Sequence, residues 1–146
     1  MIANADGLTL TDDKSRMDLD VIHGYLCNAY WSVGVPRDIV QTAIANSLCF
    51  GVFDEAVQVA FARVITDYAT FAYLADVFVI PDYRGRGISK WMVEAIVNDP
   101  RLKILRRFLL FTRDAHGLYE KFGFRQMTMP ERAMEIKVDN PYGLKN

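Results

Sequence analysis

Apolar and polar residues alternate along this chain with two different periods. From Asp18 onward, Leu19, Ile22, His23, Leu26 and Tyr30 recur at the spacing of one helix face. Gly34-Val35-Pro36 breaks that pattern. Pro36 suits the first turn of a second helix to about Asn46, with Ile39, Val40, Ala43 and Ile44 on its apolar side. Leu8 to Thr11 is a candidate first strand. Leu48 to Phe53 and Ala56 to Thr66 read as strands joined by a tight turn at Asp54-Glu55. Phe71 to Ile80, after the turn Asp67-Tyr68-Ala69, is a third long strand, and the three predict an antiparallel meander.

In the second half, Trp91, Met92, Val93, Ala95, Ile96 and Val97 make the stretch Ser89 to Asn98 apolar around much of a helix, which predicts deep packing. Asn98-Asp99-Pro100 stops it. Phe108 to Phe111 is an uninterrupted apolar run, the pattern of a strand buried on both faces. A helix separates it from the Phe71–Ile80 strand, so those two strands should be parallel. Asp114 is a candidate cap for a short helix, Ala115 to Phe122, that ends at Gly123. Phe124 to Met127 and Ala133 to Val138 read as closing strands. The predicted fold is α/β: a mixed, mostly antiparallel sheet with one parallel strand–helix–strand unit, flanked by helices.

The 146 residues carry no repeat or linker that would divide them, so residues 1–146 are expected to form a single domain. A hydrophobic fraction of 51% is enough for a sizeable core and excludes a disordered chain. The net charge of −1 gives no overall attraction to nucleic acid or to an anionic membrane. Any anion site must therefore be a local patch, and two basic clusters qualify: Arg84, Arg86 and Lys90, and Arg101, Lys103, Arg106 and Arg107. Cys27 and Cys49 stand in apolar contexts without metal-ligand spacing, as reduced core thiols do, and no metal is expected. Neither a signal peptide nor a long apolar span is visible, which points to a cytoplasmic protein.

The segment Asp82-Tyr83-Arg84-Gly85-Arg86-Gly87-Ile88-Ser89-Lys90 lies between a strand-like and a helix-like run. Its glycines let backbone approach a bound group closely, and a new helix offers unpaired N–H groups and a positive dipole end at the same place. Such a place binds phosphate. It lacks the G-x-x-x-x-G-K-[ST] of a P-loop, and the dinucleotide pattern G-x-G-x-x-G fails at Lys90.

Read instead as [QR]-x-x-G-x-[GA], Arg84, Gly87 and Ser89 match the pyrophosphate loop of the GNAT acyl-CoA N-acetyltransferases, apart from serine in the last place. Further on, Gly117-Leu118-Tyr119-Glu120-Lys121-Phe122-Gly123-Phe124 resembles the second signature of the same superfamily. The two motifs stand in the family's order with an apolar strand between them. The resemblance is strong over residues 71 to 124 and extends more loosely to the whole chain through the order of its elements.

The resemblance implies transfer of an acetyl group from acetyl-CoA to an amine by direct attack. Val77, Phe78 and Val79 would lie along the pantetheine arm, through backbone groups of Val77 and Val79. The amides of Gly85, Arg86, Gly87, Ile88, Ser89 and Lys90 would cradle the pyrophosphate, with Arg84 and Arg86 adding charge. Tyr119 would face the cofactor sulfur and protonate the leaving thiolate; a phenol of pKa about 10 stays protonated at neutral pH. A backbone N–H near Val79, freed by a bulge, would stabilise the oxyanion.

Other residues leave alternatives open. An alkyl amine is neutral only about once in 2,500 at pH 7, so a base is wanted, and Asp76 is the one charge inside the run Phe71 to Ile80. It either collects the amine's proton, pairs with a cationic substrate, partners a nearby arginine such as Arg63, or faces solvent. Tyr30 and Trp31, between the first helices, and Tyr68, before the central strand, are candidates for the acceptor pocket. His23 and His116 read as a core and a surface histidine. The family also suggests a small-molecule or protein amine as acceptor and a homodimer as assembly. The alternative is a non-catalytic acyl-CoA-binding or sensing module on the same fold.

Overall fold

The computed structural model describes residues 2–4 and 6–143. Its sheet runs in the order of the chain: β1 (Ile2–Ala3), β2 (Thr9–Thr11), β3 (Leu48–Asp54), β4 (Val57–Thr66), β5 (Phe71–Val79) and β6 (Arg107–Leu110). Every neighbouring pair is antiparallel except β5 and β6, which are parallel. The helices are α1 (Leu19–Leu26), α2 (Arg37–Ala45), α3 (Ile88–Val97) and α4 (His116–Glu120). The mixed α/β architecture and the parallel β5–α3–β6 unit are those that the sequence predicts.

The two faces of the sheet explain the alternation in the sequence. On one, Phe50, Val52, Ala60, Ala62, Val64, Ala72 and Leu74 meet Met92, Val93 and Ile96 of α3. On the other, Cys49, Phe61 and Phe78 meet Ile22 and Leu26 of α1 and Val40 of α2. Each large side chain withdrawn from water in this way contributes about 1.5–3 kcal/mol.

Several local expectations are corrected. The first helix stops at Leu26, short of Tyr30, because Ser32 Oγ and the Gly34 amide donate to the Leu26 and Cys27 carbonyls at 2.7 and 2.8 Å. Asp114 does not cap α4; the Thr112 hydroxyl accepts from the Ala115 amide at 3.0 Å, one residue before the helix begins. Phe124 to Met127 and Ala133 to Val138 are not strands. The Phe108–Phe111 run is not enclosed either: β6 is an edge strand and Phe111 is 72% exposed. Strand pairing requires a neighbour, and none lies beyond β6 among the described residues.

Candidate active site

Six consecutive amides, from Gly85 to Lys90, donate to no acceptor among the described residues. Gly87 caps α3 at φ 75° and Gly85 stands at φ 79°, both in the left-handed region. A Cβ at either glycine would meet nothing within 4 Å, so no side chain or backbone crowds the loop at these two positions. Positive charge gathers beside it: Lys90 lies near enough to Lys121 to lower the latter's pKa. Open amides beside positive charge are an arrangement that suits an anion such as a pyrophosphate.

The basic side chains of the loop are partly committed. The Arg84 guanidinium donates from Nε to the Val79 carbonyl at 3.0 Å and from Nη2 to the Tyr25 hydroxyl at 2.9 Å. It therefore braces the end of β5 against α1. Arg86 lies over the Tyr83 ring, 4.7 Å from its centroid, and Tyr83 donates to Asp54 at 2.6 Å.

A cleft opens where β5 and β6 part. Their pairing covers only Phe71–Leu74 against Arg107–Leu110. Beyond Leu74, β5 has no strand neighbour on that side among the described residues. On the other side, the ladder with β4 pairs Ala75 with Arg63 and Phe78 with Phe61, leaving Asp76 and Val77 opposite Ala62 alone. The family resemblance implies a bulge near Val79; the bulge lies at Asp76–Val77, two to three residues earlier in the strand. Asp76 takes φ 56°, a left-handed conformation that aspartate tolerates better than most residues. Phe78 is buried, stacked on Tyr25 at 4.0 Å, so only its backbone is available to a ligand.

The cleft widens into a cavity of about 640 Å³ that brings Tyr30, Trp31, Asp76, Val77 and Tyr119 onto one surface. Asp76 has both carboxylate oxygens engaged: Trp31 Nε1 donates to Oδ1 and Arg63 Nε to Oδ2, each at 2.8 Å. Arg63 also donates to Ser47 Oγ at 3.2 Å. The Asp76 and Arg63 side chains are only 12% and 16% exposed, so each charge depends on the other for compensation.

Tyr119 is held from two sides. Gly123, at φ 96°, reverses the chain so that Phe124 meets the Tyr119 ring edge-on at 5.9 Å and donates its amide to the Tyr119 carbonyl. Phe124 in turn rests on Phe108 of β6 at 5.3 Å. Burial, together with nearby Tyr30, pushes the Tyr119 phenol up to about 12, so it is fully protonated at neutral pH.

The comparisons with known proteins agree with this geometry. A family model described as an acetyltransferase (GNAT) domain matches residues 45–126, more than half of the chain. The chain belongs to the GNAT acetyltransferase family. It is 48% identical to a Xanthomonas campestris protein of known crystal structure that is assigned to the same family as an acetyltransferase, with a TM-score of 0.91 over 94% of this chain and 97% of the other. A protein of Gibberella zeae named as an acetyltransferase is 30% identical over 136 residues, 77% of this chain and 75% of its own. A Clostridium acetobutylicum protein assigned as an acetyltransferase and crystallised with acetyl-CoA shares the fold at 16% identity, with a TM-score of 0.61 over 89% of this chain and 94% of that one.

In this GNAT acetyltransferase, not every residue singled out from sequence reaches the cavity. Tyr68 sits at the β4–β5 turn, 45% exposed, beside Pro100, Arg101 and Ile104. That turn is at the opposite end of β5 from the cleft, so Tyr68 lies outside the cavity that holds Tyr30 and Trp31. His23 Nε2 lies 3.0 Å from the Val35 carbonyl, and His116 is exposed at the start of α4. The cavity also includes residues that sequence reasoning passed over. Tyr73 shares the open strand with Asp76, and Phe111 meets its ring at 5.8 Å. Arg113 lies 3.8 Å over the Tyr30 ring. Tyr142 arrives from the C-terminal segment. Alternation along β5 could have revealed Tyr73; nothing in the sequence signals Tyr142.

Proposed function

We propose that this acetyltransferase moves the acetyl group of acetyl-CoA to a primary amine. Three observations carry the reading: the open amides of Gly85–Lys90 at the head of α3, the unpaired edge of β5 beyond Leu74, and the buried phenol of Tyr119 in the cavity that also takes in Asp76 and Val77 of that strand. The pyrophosphate binds the loop and the head of α3. The pantetheine arm lies along Ala75–Val79 as an added strand would, exchanging hydrogen bonds with free backbone groups. The acetyl carbonyl then reaches the bulge, where backbone donors at Asp76–Val77 or just beyond meet the developing oxyanion.

The amine nitrogen attacks the carbonyl carbon and the carbon–sulfur bond breaks. The thiolate takes its proton from Tyr119, and water receives the proton that the amine sheds. Products are the N-acetylated amine and coenzyme A with a free thiol. Because both Asp76 oxygens already accept hydrogen bonds, the role that best fits Asp76 is positioning: it holds Trp31 across the mouth of the acceptor cavity. The aromatic walls suit an amine with an apolar body.

Calorimetric titration with acetyl-CoA tests the donor half. Binding in the micromolar range is expected, and it should weaken at least about tenfold in Gly87→Val, whose Cβ and altered backbone disturb the cradle. Absence of acetyl-CoA binding by the wild-type protein would refute the reading.

A further inference from the structure

Among the described residues, the acceptor cavity is lined by four charged side chains, and they form two pairs of very different quality. Asp76 and Arg63 meet at 2.8 Å with only 12% and 16% of their side chains exposed. Arg63 also donates to Ser47. That pair is neutral and already engaged. Arg113 and Asp114, in the loop between β6 and α4, stand 3.8 Å apart with 63% and 71% of their side chains exposed. The distance is beyond hydrogen-bond length, and a pair so open to water is weak. No hydrogen bond joins the Arg113 guanidinium to any other described residue.

Arg113 is nevertheless held in place. Its guanidinium carbon lies 3.8 Å over the centroid of the Tyr30 ring, a face-to-face contact distance. Such packing fixes the plane of the guanidinium and leaves its edge, where the N–H donors are, unobstructed by the ring. Tyr30 in turn meets Trp31 edge-on at 5.1 Å, and Trp31 is tied to Asp76. Tyr30 is also near Tyr119, whose phenol it helps to raise. The guanidinium is thus separated from the proposed proton donor by a single aromatic ring. Around it the cavity offers apolar surface that no part of the described chain covers: Tyr30, Trp31 and Phe111 are all exposed.

We infer that the acceptor amine carries a carboxylate on an apolar body, and that Arg113 binds this carboxylate through its N–H edge. The inference rests on the acetyl-transfer reading above and names the acceptor class for the same cavity. A guanidinium meets a carboxylate with two parallel hydrogen bonds, a match that a lysine ammonium does not provide. Asp114 beside it supplies the opposite charge, so this loop presents a plus and a minus to a molecule that itself carries an ammonium and a carboxylate. The exposed rings of Tyr30, Trp31 and Phe111 cover the apolar part. An amino acid with a large apolar side chain has all three parts. An amine without the carboxylate leaves the Arg113 donors unmatched, and that difference is the source of selectivity.

Acetylation of matched amines at saturating acetyl-CoA tests this. L-Phenylalanine is compared with L-phenylalaninamide, and para-(aminomethyl)benzoate with para-(aminomethyl)benzamide, so that the carboxylate is removed at two distances from the amine. In at least one pair the carboxylate should have a kcat/KM about tenfold or more above that of its amide. Arg113→Gln should bring that ratio to within about twofold of unity. Arg113→Lys, which keeps the charge and loses the planar fork, should leave an intermediate ratio. A merely structural role for Arg113 would lower both members of a pair alike and keep the ratio, which overturns the inference. Wild-type protein that acetylates the amides as well as the carboxylates in both pairs overturns it too, while leaving acetyl transfer to amines standing. If none of these amines is acetylated by a protein that binds acetyl-CoA, the acceptor class is refuted. If acetyl-CoA itself does not bind in the calorimetric titration, the acetyl-transfer reading falls and this inference falls with it.

Discussion

Trp31 donates its indole N–H to Asp76 Oδ1 at 2.8 Å, joining the turn after α1 to the bulge of β5. The bond fixes one wall of the acceptor cavity to the strand along which acetyl-CoA is proposed to lie. Arg63 holds the other carboxylate oxygen, so the aspartate is oriented from both sides.

Trp31→Phe removes that donor and keeps most of the apolar surface. One lost hydrogen bond of this kind is worth about 0.5–1.5 kcal/mol. The acceptor KM should rise by about three- to tenfold, with acetyl-CoA affinity unchanged. Steady-state kinetics with the donor saturating separates the two.

Asp76→Ala leaves the largely buried Arg63 charge without its partner. Loss of one member of such a pair costs about 3 kcal/mol, which chemical denaturation will read as a lower midpoint at unchanged slope. Asp76→Asn is the gentler variant. If Asp76 positions rather than abstracts, the pH–rate profile of Asp76→Asn keeps its shape while its height falls. Loss of the rising limb would instead make Asp76 the proton acceptor.

The two cysteines should differ sharply toward a thiol reagent. Burial pushes the Cys49 thiol up to about 11 and closes it to solvent, whereas Cys27 is partly exposed. Native protein should react promptly at Cys27 and at Cys49 only after unfolding. Peptide mapping after brief alkylation checks this, and prompt labelling of Cys49 would contradict the described packing of β3.

Much of this fold is written in local pattern. The three long strands, α2, α3 and the parallel β6 follow from periodicity and from the punctuation of Gly34-Val35-Pro36 and Asn98-Asp99-Pro100. The glycine loop was legible because positive φ and close approach are properties of the residue itself. The bulge was not: its position depends on how Asp76 settles between Arg63 and Trp31, which lie far apart in sequence. Tyr68 was misplaced for a related reason, since a strand's sequence does not tell which of its ends meets the cavity. The closing strands show the converse. Ala133–Val138 has the alternation of a strand, but a strand forms only against a partner edge.

The burial that raises Tyr119 keeps its phenol protonated over the whole physiological range. Its phenol ionises only as the pH approaches about 12, so no loss of activity from Tyr119 is expected between pH 6 and 10 (about the usable range). A falling limb near pH 9 that Tyr119→Phe abolishes would contradict that environment.

The most direct test of the account is release of free thiol from acetyl-CoA in the presence of a panel of primary amines, compared between the wild-type protein and Tyr119→Phe. The account predicts amine-dependent release by the wild type and a fall of about 10²–10⁴-fold in the variant, with acetyl-CoA affinity kept within about twofold. Equal turnover in the two proteins would remove Tyr119 from the mechanism and contradict the reading of the cleft.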